Sequence, residues 1–392
     1  MSTVVYLAGK SMDSLADPDV ALAEALAEFV HVLWVDPAPR TPSKRGDQSG
    51  IDRISPNLTR LRRAPVVGPG SRLNHRLSRH LARRSLARSI ADALKELDET
   101  SNAVVLSDPT GHFPLSISGH RLYYLTDDWV SGAAKHRVAR GAVRKTIEHN
   151  CEAADTVAAV SHTLAIRLHL YSKTIDAVRV VPTGCTVPDA MRPTPPDLPT
   201  MSPIALVGPL DESLDYDILD AVARTGTHIV VTGPVNTADP TTAGRAETFL
   251  AHRNVHWVGT RPDASAADYL SGATVGIAPF LVDAFNRARF PAQTLDYLAS
   301  GLAVVTTDLP ATRWLDSEHV SIAESPQQFA DMVLEYVASE PTSALSAARR
   351  DVAAKHTWTV RATALARLMA LPTDASTRTD SRGRDGSAKI FR

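Results

Sequence analysis

Short apolar runs, each closed by Gly, Pro, Asp or Ser, alternate along the chain with longer segments whose apolar positions recur every three or four residues. The first kind reads as buried parallel strands and the second as amphipathic helices, together the signature of α/β layers. In the first half, strands are predicted at 3–8, 30–35, 103–106, 122–125, 156–160 and 178–181, with helices such as 19–28 and 71–97 between them. The pattern restarts at 204–207 and continues through 228–232, 255–258, 275–279, 303–306 and 320–322. Between the halves, residues 191–199 carry four prolines and can continue neither a strand nor a helix. The expected organisation is therefore a domain at 1–190, a linker at 191–201 and a second domain from 202 to 350. Open parallel sheets bind ligands at the carboxyl ends of their strands, so two of them in succession predict a cleft. The polar stretch 373–392 is expected to be disordered.

Composition narrows the class without naming it. The chain has 392 residues, 42 Lys and Arg against 43 Asp and Glu, and a formal charge of −1. That balance argues against a globally basic nucleic-acid binder and against an acidic disordered chain. Two cysteines, Cys151 and Cys185, exclude a disulfide framework and a Cys-based zinc site, and the scattered histidines lack metal-ligand spacing. No metal or cofactor is expected. The first residues lack a basic segment followed by a long apolar one, and no apolar run approaches a membrane span, so a cytosolic protein is the expectation.

The series of motifs is more specific than any of its members. Glu152–Ser161 followed by Arg179-Val180-Val181-Pro182-Thr183-Gly184 closes the first half. The second half holds Val207-Gly208-Pro209, Val231-Thr232-Gly233-Pro234, Val255–Gly259, Gly276–Phe280 and Pro291–Val305. In order and spacing these resemble the retaining GT-B glycosyltransferases, family 4-like, and most closely the teichuronic-acid-biosynthesis branch, which Tyr124–Trp129 also suits. The resemblance implies an α/β fold of two Rossmann-like domains facing a cleft. It also implies a metal-independent retaining transferase moving a sugar from a nucleotide-diphosphate donor to a cell-envelope glycan, lipid-linked or small-molecule acceptor. Residues 351–372 would be the closing helix that packs back on the first domain.

Such a reaction needs its diphosphate leaving group neutralised and its reactants aligned. The loop at Gly208 is expected to offer backbone N–H groups and helix dipoles to phosphate. The resemblance places Asp296 on the ribose hydroxyls and Thr260 and Arg261 beside the base. Relatives usually carry a basic pair for the diphosphate, but here Pro209 and Ser213 stand near the first position and Gln293 at the second. Ala288 replaces an acidic residue. Residues 200–340 contain no lysine, so Arg287 or Arg289 is the candidate clamp, Arg being suited to bonding two oxygens at once. Asp127 and Asp128 follow a strand and are the candidate catalytic carboxylates, for an acceptor hydroxyl or for charge at the anomeric carbon; a helix cap is the competing reading. Asp108 and His112 are expected on the acceptor side.

One further feature lies outside the motifs. Residues 60–88 contain nine arginines and no acidic residue, with Leu73, Leu77 and Leu81 on one helical face and Ser71 as N-cap. This predicts an amphipathic helix whose outer face docks on anionic lipid, or is simply solvated. No aromatic residues interleave with the arginines, which disfavours nucleic acid. Two other functions stay open: a non-catalytic GT-B partner protein, and a sugar-nucleotide epimerase of the same build.

Overall fold

The computed structural model describes residues 2–14, 17–38, 50–63, 75–114, 116–189, 204–260, 270, 272–339 and 342–373. Two sheets organise these residues. The first runs β3(Gly50–Ser55)-β4(Leu58–Arg62)-β2(His31–Val35)-β1(Ser2–Leu7)-β5(Thr100–Leu106)-β6(His120–Leu125)-β7(Thr156–Ala159)-β8(Val178–Val180). Its β3–β4 pair is an antiparallel hairpin, while β4–β2, β2–β1, β1–β5 and β7–β8 are parallel. Strand β1 is hydrophobic on both faces, and Val4, Val5 and Tyr6 have no exposed surface, as a central parallel strand requires.

The second sheet runs β11(Val255–Gly259)-β10(Ile229–Thr232)-β9(Ile204–Val207)-β12(Val275–Ala278)-β13(Ala303–Thr307)-β14(Val320–Ala323). All five of its pairings are parallel. Numbered within the domain, this is the order 3-2-1-4-5-6 of the dinucleotide-binding Rossmann fold, whose crevice opens where the order reverses, between β9 and β12.

The helices are α1(Pro18–Leu26), α2(His75–Glu96), α3(Arg140–Ala153), α4(His162–Tyr171), α5(Tyr216–Ala223), α6(Pro240–Leu250) and α7(Ala292–Ala299), followed by α8(Pro310–Leu315), α9(Pro326–Ala338), α10(Ser343–Ala354) and α11(Trp358–Leu368). Their starts follow local chemistry. Ser161, Asp215, Asp239, Ser325 and Thr342 each accept a first-turn N–H with the side chain, and Pro240, Pro310 and Pro326 stand where a missing N–H costs nothing.

By packing, the chain forms two compact units. One comprises residues 1–106, 113–122 and 362–392; the other comprises 107–112 and 123–361 and so contains β7, β8 and the whole second sheet. The linker 191–201 and the tail from 374 onward lie outside the described residues. The expected closing helix at 351–372 is instead two helices, α10 and α11, broken at 355–357. There Cys185 bridges to Thr357, with its N–H on the His356 carbonyl at 3.0 Å. Arg349 of α10 donates to the Gly301 carbonyl at 3.1 Å, seating that helix beside α7.

The basic stripe also differs from its expected form. Arg60 and Arg62 lie in β4, a strand the apolar pattern misses because Leu58 and Leu61 are its only apolar residues, the third buried one being Thr59. Arg60 is paired with Asp36 at 2.7 Å and Asp13 at 2.6 Å, and Arg62 with Asp52 at 2.7 Å, so neither is a free surface cation. Ser71 and Leu73 lie outside the described residues, and Leu81 is 42% exposed rather than packed on the sheet. Among the described side chains of α2, those that are buried are Ile90, Ala93 and Leu94.

Candidate functional site

The reversal of strand order in the second sheet coincides with a recess. Its walls are the ends of β9 and β12, residues 206–209 and 277–280, with Ser213, Leu214, Arg289 and Gln293 closing the rim. Gly208 turns the chain away from β9 at φ +124°, a conformation that disfavours any residue with a Cβ. A Cβ there would also lie 2.9 Å from the Gln293 amide nitrogen. Gly233, at the end of β10, has φ +136°, and a Cβ on it would collide with the Gly208 carbonyl.

The backbone donors of the β9 loop are already committed. Gly208 N–H bonds to the Thr232 carbonyl and Leu210 N–H to the Pro234 carbonyl, both at 2.9 Å, and Pro209 has none. The Ser213 N–H bonds to Asp211 Oδ1 at 2.8 Å. The expectation that this loop presents N–H groups to phosphate is therefore corrected at these positions. The helix that starts on the rim is α7, whose N-cap Pro291 makes no side-chain cap bond. Its first-turn N–H groups are the positive end of the helix, and Gln293 sits in that turn, on the rim.

Of the two candidate arginines, only Arg289 reaches the recess. Its Nε stands 3.0 Å from Asp127 Oδ1, and its guanidinium carbon lies 5.3 Å from the Phe285 ring centroid and 5.9 Å from that of Phe280. The pairing uses one edge of a fork that carries five N–H groups, so its terminal nitrogens can bond an oxyanion while Asp127 holds the other edge. Arg287, in the 3-10 turn Asn286–Ala288, is exposed and adds to the field that lowers the Asp308 carboxyl, whose main partner is Arg313.

Asp127 and Asp128 are adjacent in sequence but differ in surroundings. Asp127 is half-buried and faces Arg289. Asp128 is 1% exposed. It accepts from the N–H groups of Val130 and Ser131 at 3.1 Å, the Ser131 hydroxyl at 2.6 Å, Arg167 at 2.5 Å and the Tyr171 hydroxyl at 3.0 Å. Burial opposes its ionisation, but these bonds outweigh burial and hold the carboxyl below its ordinary range. The same bonds occupy both oxygens, which leaves no lone pair directed at a substrate; Asp128 is a structural cap and hub here. Arg167 also donates to the Ala284 carbonyl at 2.6 Å, and the Ser161 hydroxyl donates to the Ala288 carbonyl at 2.6 Å. These bonds fix the segment that carries Arg289.

The remaining sequence candidates are dispersed. Asp108 accepts from the N–H and hydroxyl of Thr110, both at 2.8 Å, closing its own turn. His112 packs edge-on to His149, with centroids 5.4 Å apart. Thr260 is exposed just beyond β11 and is not among the residues that line the recess, and Arg261 lies outside the described residues. Asp296 is half-buried in the middle of α7, off the recess wall, and burial pushes its carboxyl up to about 7. Three residues near the site escaped the sequence analysis: Phe285, Arg167 and Lys135. Tertiary structure brings Arg167 and Lys135 there, Phe285 lies four positions before Arg289, and no local motif marks any of them.

Residues 212–339 match the family model of glycosyl transferases group 1. Over 67 residues the chain is 33% identical to TuaH of Bacillus subtilis (strain 168), named for teichuronic acid biosynthesis as a glycosyltransferase; the match spans 17% of this chain and 17% of the relative. Among solved structures, an apo structure of OtsA superposes with a TM-score of 0.66 at 12% identity, covering 94% of this chain and 98% of that one. HepE of Anabaena, in complex with UDP and glucose, gives 0.63 at 12% identity, with 94% and 99% covered. A UDP-forming trehalose-phosphate synthase from Burkholderia vietnamiensis gives 0.63 at 14%, with 96% and 98% covered. Residues 212–339 are therefore similar to a group 1 glycosyl transferase domain, and the chain has the GT-B fold of two Rossmann-like halves.

Proposed function

We propose that this protein is a glycosyltransferase that takes a sugar from a nucleoside-diphosphate donor seated in the β9–β12 recess. The observation that carries this is the convergence, at the switch point of a 3-2-1-4-5-6 sheet, of Arg289, Gln293 and the open N-terminus of α7. A diphosphate leaving group gains charge as its bond to the sugar breaks, and fixed donors aimed at it lower that barrier. Arg289 supplies the charge in this reading, so no divalent cation is required. Retention of anomeric configuration is proposed from the resemblance to GT-B enzymes. Asp127, beside Arg289, is the carboxylate nearest the reacting end; it aligns the guanidinium and, with its second oxygen, the acceptor. Asp296, which does not line the recess, is assigned to the donor's ribose from the resemblance alone.

The acceptor is proposed to be a cell-envelope or lipid-linked glycan. TuaH bears a name from that chemistry, and α2 exposes Leu81 beside Arg83, Arg84 and Arg88, a face suited to an anionic lipid surface. No described helix is long and apolar enough to cross a membrane.

The test is release of nucleoside diphosphate from a panel of UDP-, GDP-, ADP- and TDP-sugars, with and without envelope-type acceptors. One donor should turn over, and Asp127→Ala should lower kcat by about 100-fold, the scale of a lost positioning contact, with nucleotide binding retained. Tight nucleotide binding without turnover of any donor would favour the non-catalytic partner instead.

A further inference from the structure

A diphosphate carries two to three negative charges, whereas Arg289 is the one cation on the recess wall among the described residues, and Asp127 already offsets it. A second cation lies close by, on a part of the chain far away in sequence. Lys135 Nζ is 3.0 Å from Asp211 Oδ2 and 5.1 Å from the centroid of the Phe285 ring. The Arg289 guanidinium is 5.3 Å from the same centroid. One buried phenyl ring therefore has a cation from each half of the fold beside it. Asp211 in turn accepts from the hydroxyl of Ser213, which lines the recess. Lys135 is thus one ion pair and one hydroxyl away from the space assigned to the donor.

Its backbone is held in place. His136 stacks on Trp129 with centroids 3.9 Å apart and meets Phe285 edge-on at 5.6 Å. Gly132 packs so closely on Phe285 that a Cβ would lie 2.6 Å from the ring. The ammonium itself sits on a flexible four-carbon stem and the side chain is 24% exposed, so it can change partner without the backbone moving. Asp211, 8% exposed and bonded to the Ser213 N–H and hydroxyl, cannot follow it.

We propose that Lys135 is the second diphosphate-binding cation, which supplies the charge that the lysine-free stretch 200–340 lacks. In the empty protein Asp211 neutralises it. When a nucleoside diphosphate enters, the ammonium exchanges Asp211 for the phosphate farther from the nucleoside, where Arg289 also bonds, and the α7 N-terminus holds the other. Asp211 is then an internal competitor of the ligand and sets how much affinity the cation contributes. This inference rests on the recess being the donor site.

The experiment is calorimetric titration of the full chain with a nucleoside diphosphate and the matching monophosphate, the base being the one that most stabilises the protein thermally. Lys135→Met should weaken diphosphate binding at least tenfold and leave the monophosphate within about twofold, erasing the preference between them. Lys135→Arg should restore that preference. Asp211→Asn should tighten diphosphate binding several-fold even if the melting temperature falls. A folded Lys135→Met protein that retains the wild-type preference, or weaker diphosphate binding in Asp211→Asn, would overturn the role of Lys135 while leaving the donor site intact. Failure of the wild-type chain to bind any of the four nucleoside diphosphates would remove the donor site itself.

Discussion

Asp296 and Asp128 both lose hydration on folding, yet their carboxyls shift in opposite directions, because hydrogen bonds to the ionised form decide the outcome. Asp128 has five such donors and stays ionised. Burial of Asp296 is not offset and lifts its carboxyl from 3.8 to about 7. The neutral form is then favoured by the fold, so the associated stability is fully present below about pH 4 and is lost as pH rises through about 7. Asp296→Asn should therefore melt at nearly the wild-type temperature at pH 4 and several degrees above it at pH 8, as followed by circular dichroism. Parallel melting curves across that range would show that the carboxyl titrates normally. Cys185 and Tyr297 feel the same carboxylate, but both are themselves held neutral by burial, so they do not blur this step. Asp296 is also a residue whose place in the motif was legible and whose state was not. Spacing from Pro291 located it, whereas its shift comes from burial in the folded chain, which also brings it near enough to Cys185, more than a hundred positions earlier, to raise that thiol.

At the scale of elements, local rules carried far where apolar runs are buried on both faces. The strands β9 to β14 could be read almost to the residue, while their order is seen only in the fold. The hairpin β3–β4 was not legible, since its arginines are neutralised by Asp13, Asp36 and Asp52 and mimic a continuous basic stripe. Likewise Asp127-Asp128 looked like a matched catalytic pair, and the cap at Ser131 was only one of two readings until Arg167 and Tyr171 of α4 closed around Asp128. What survives of the stripe is the outer face of α2, with Leu81 exposed among Arg83, Arg84 and Arg88. Each arginine near an anionic surface is worth about 1 kcal/mol. Changing these three to Gln should therefore reduce binding to vesicles containing phosphatidylserine by roughly 100-fold in co-sedimentation, with neutral vesicles bound weakly by both proteins. Equal binding by both would leave α2 a solvated helix.

Across the whole molecule, a formal charge of −1 conceals an uneven distribution. Residues 200–340 hold 7 Arg against 18 Asp and Glu, yet they build the wall of the recess assigned to a diphosphate. The structure reconciles the two by concentrating cations: Arg289 faces the recess and Lys135 stands behind it, each held by one carboxylate, while Arg245 and Arg313 are spent on Asp217 and Asp308 elsewhere. Both cation–carboxylate pairs join residues more than seventy positions apart, so no window of sequence displays them. The most direct measurement is a calorimetric titration of the preferred nucleoside diphosphate against wild type, Arg289→Ala and Arg287→Ala. Arg289→Ala should lose at least tenfold in affinity, while Arg287→Ala, whose side chain faces solvent near Asp308, should stay within twofold of wild type. Equal losses in the two variants, or undiminished binding by Arg289→Ala, would contradict the assignment of the β9–β12 recess as the donor site.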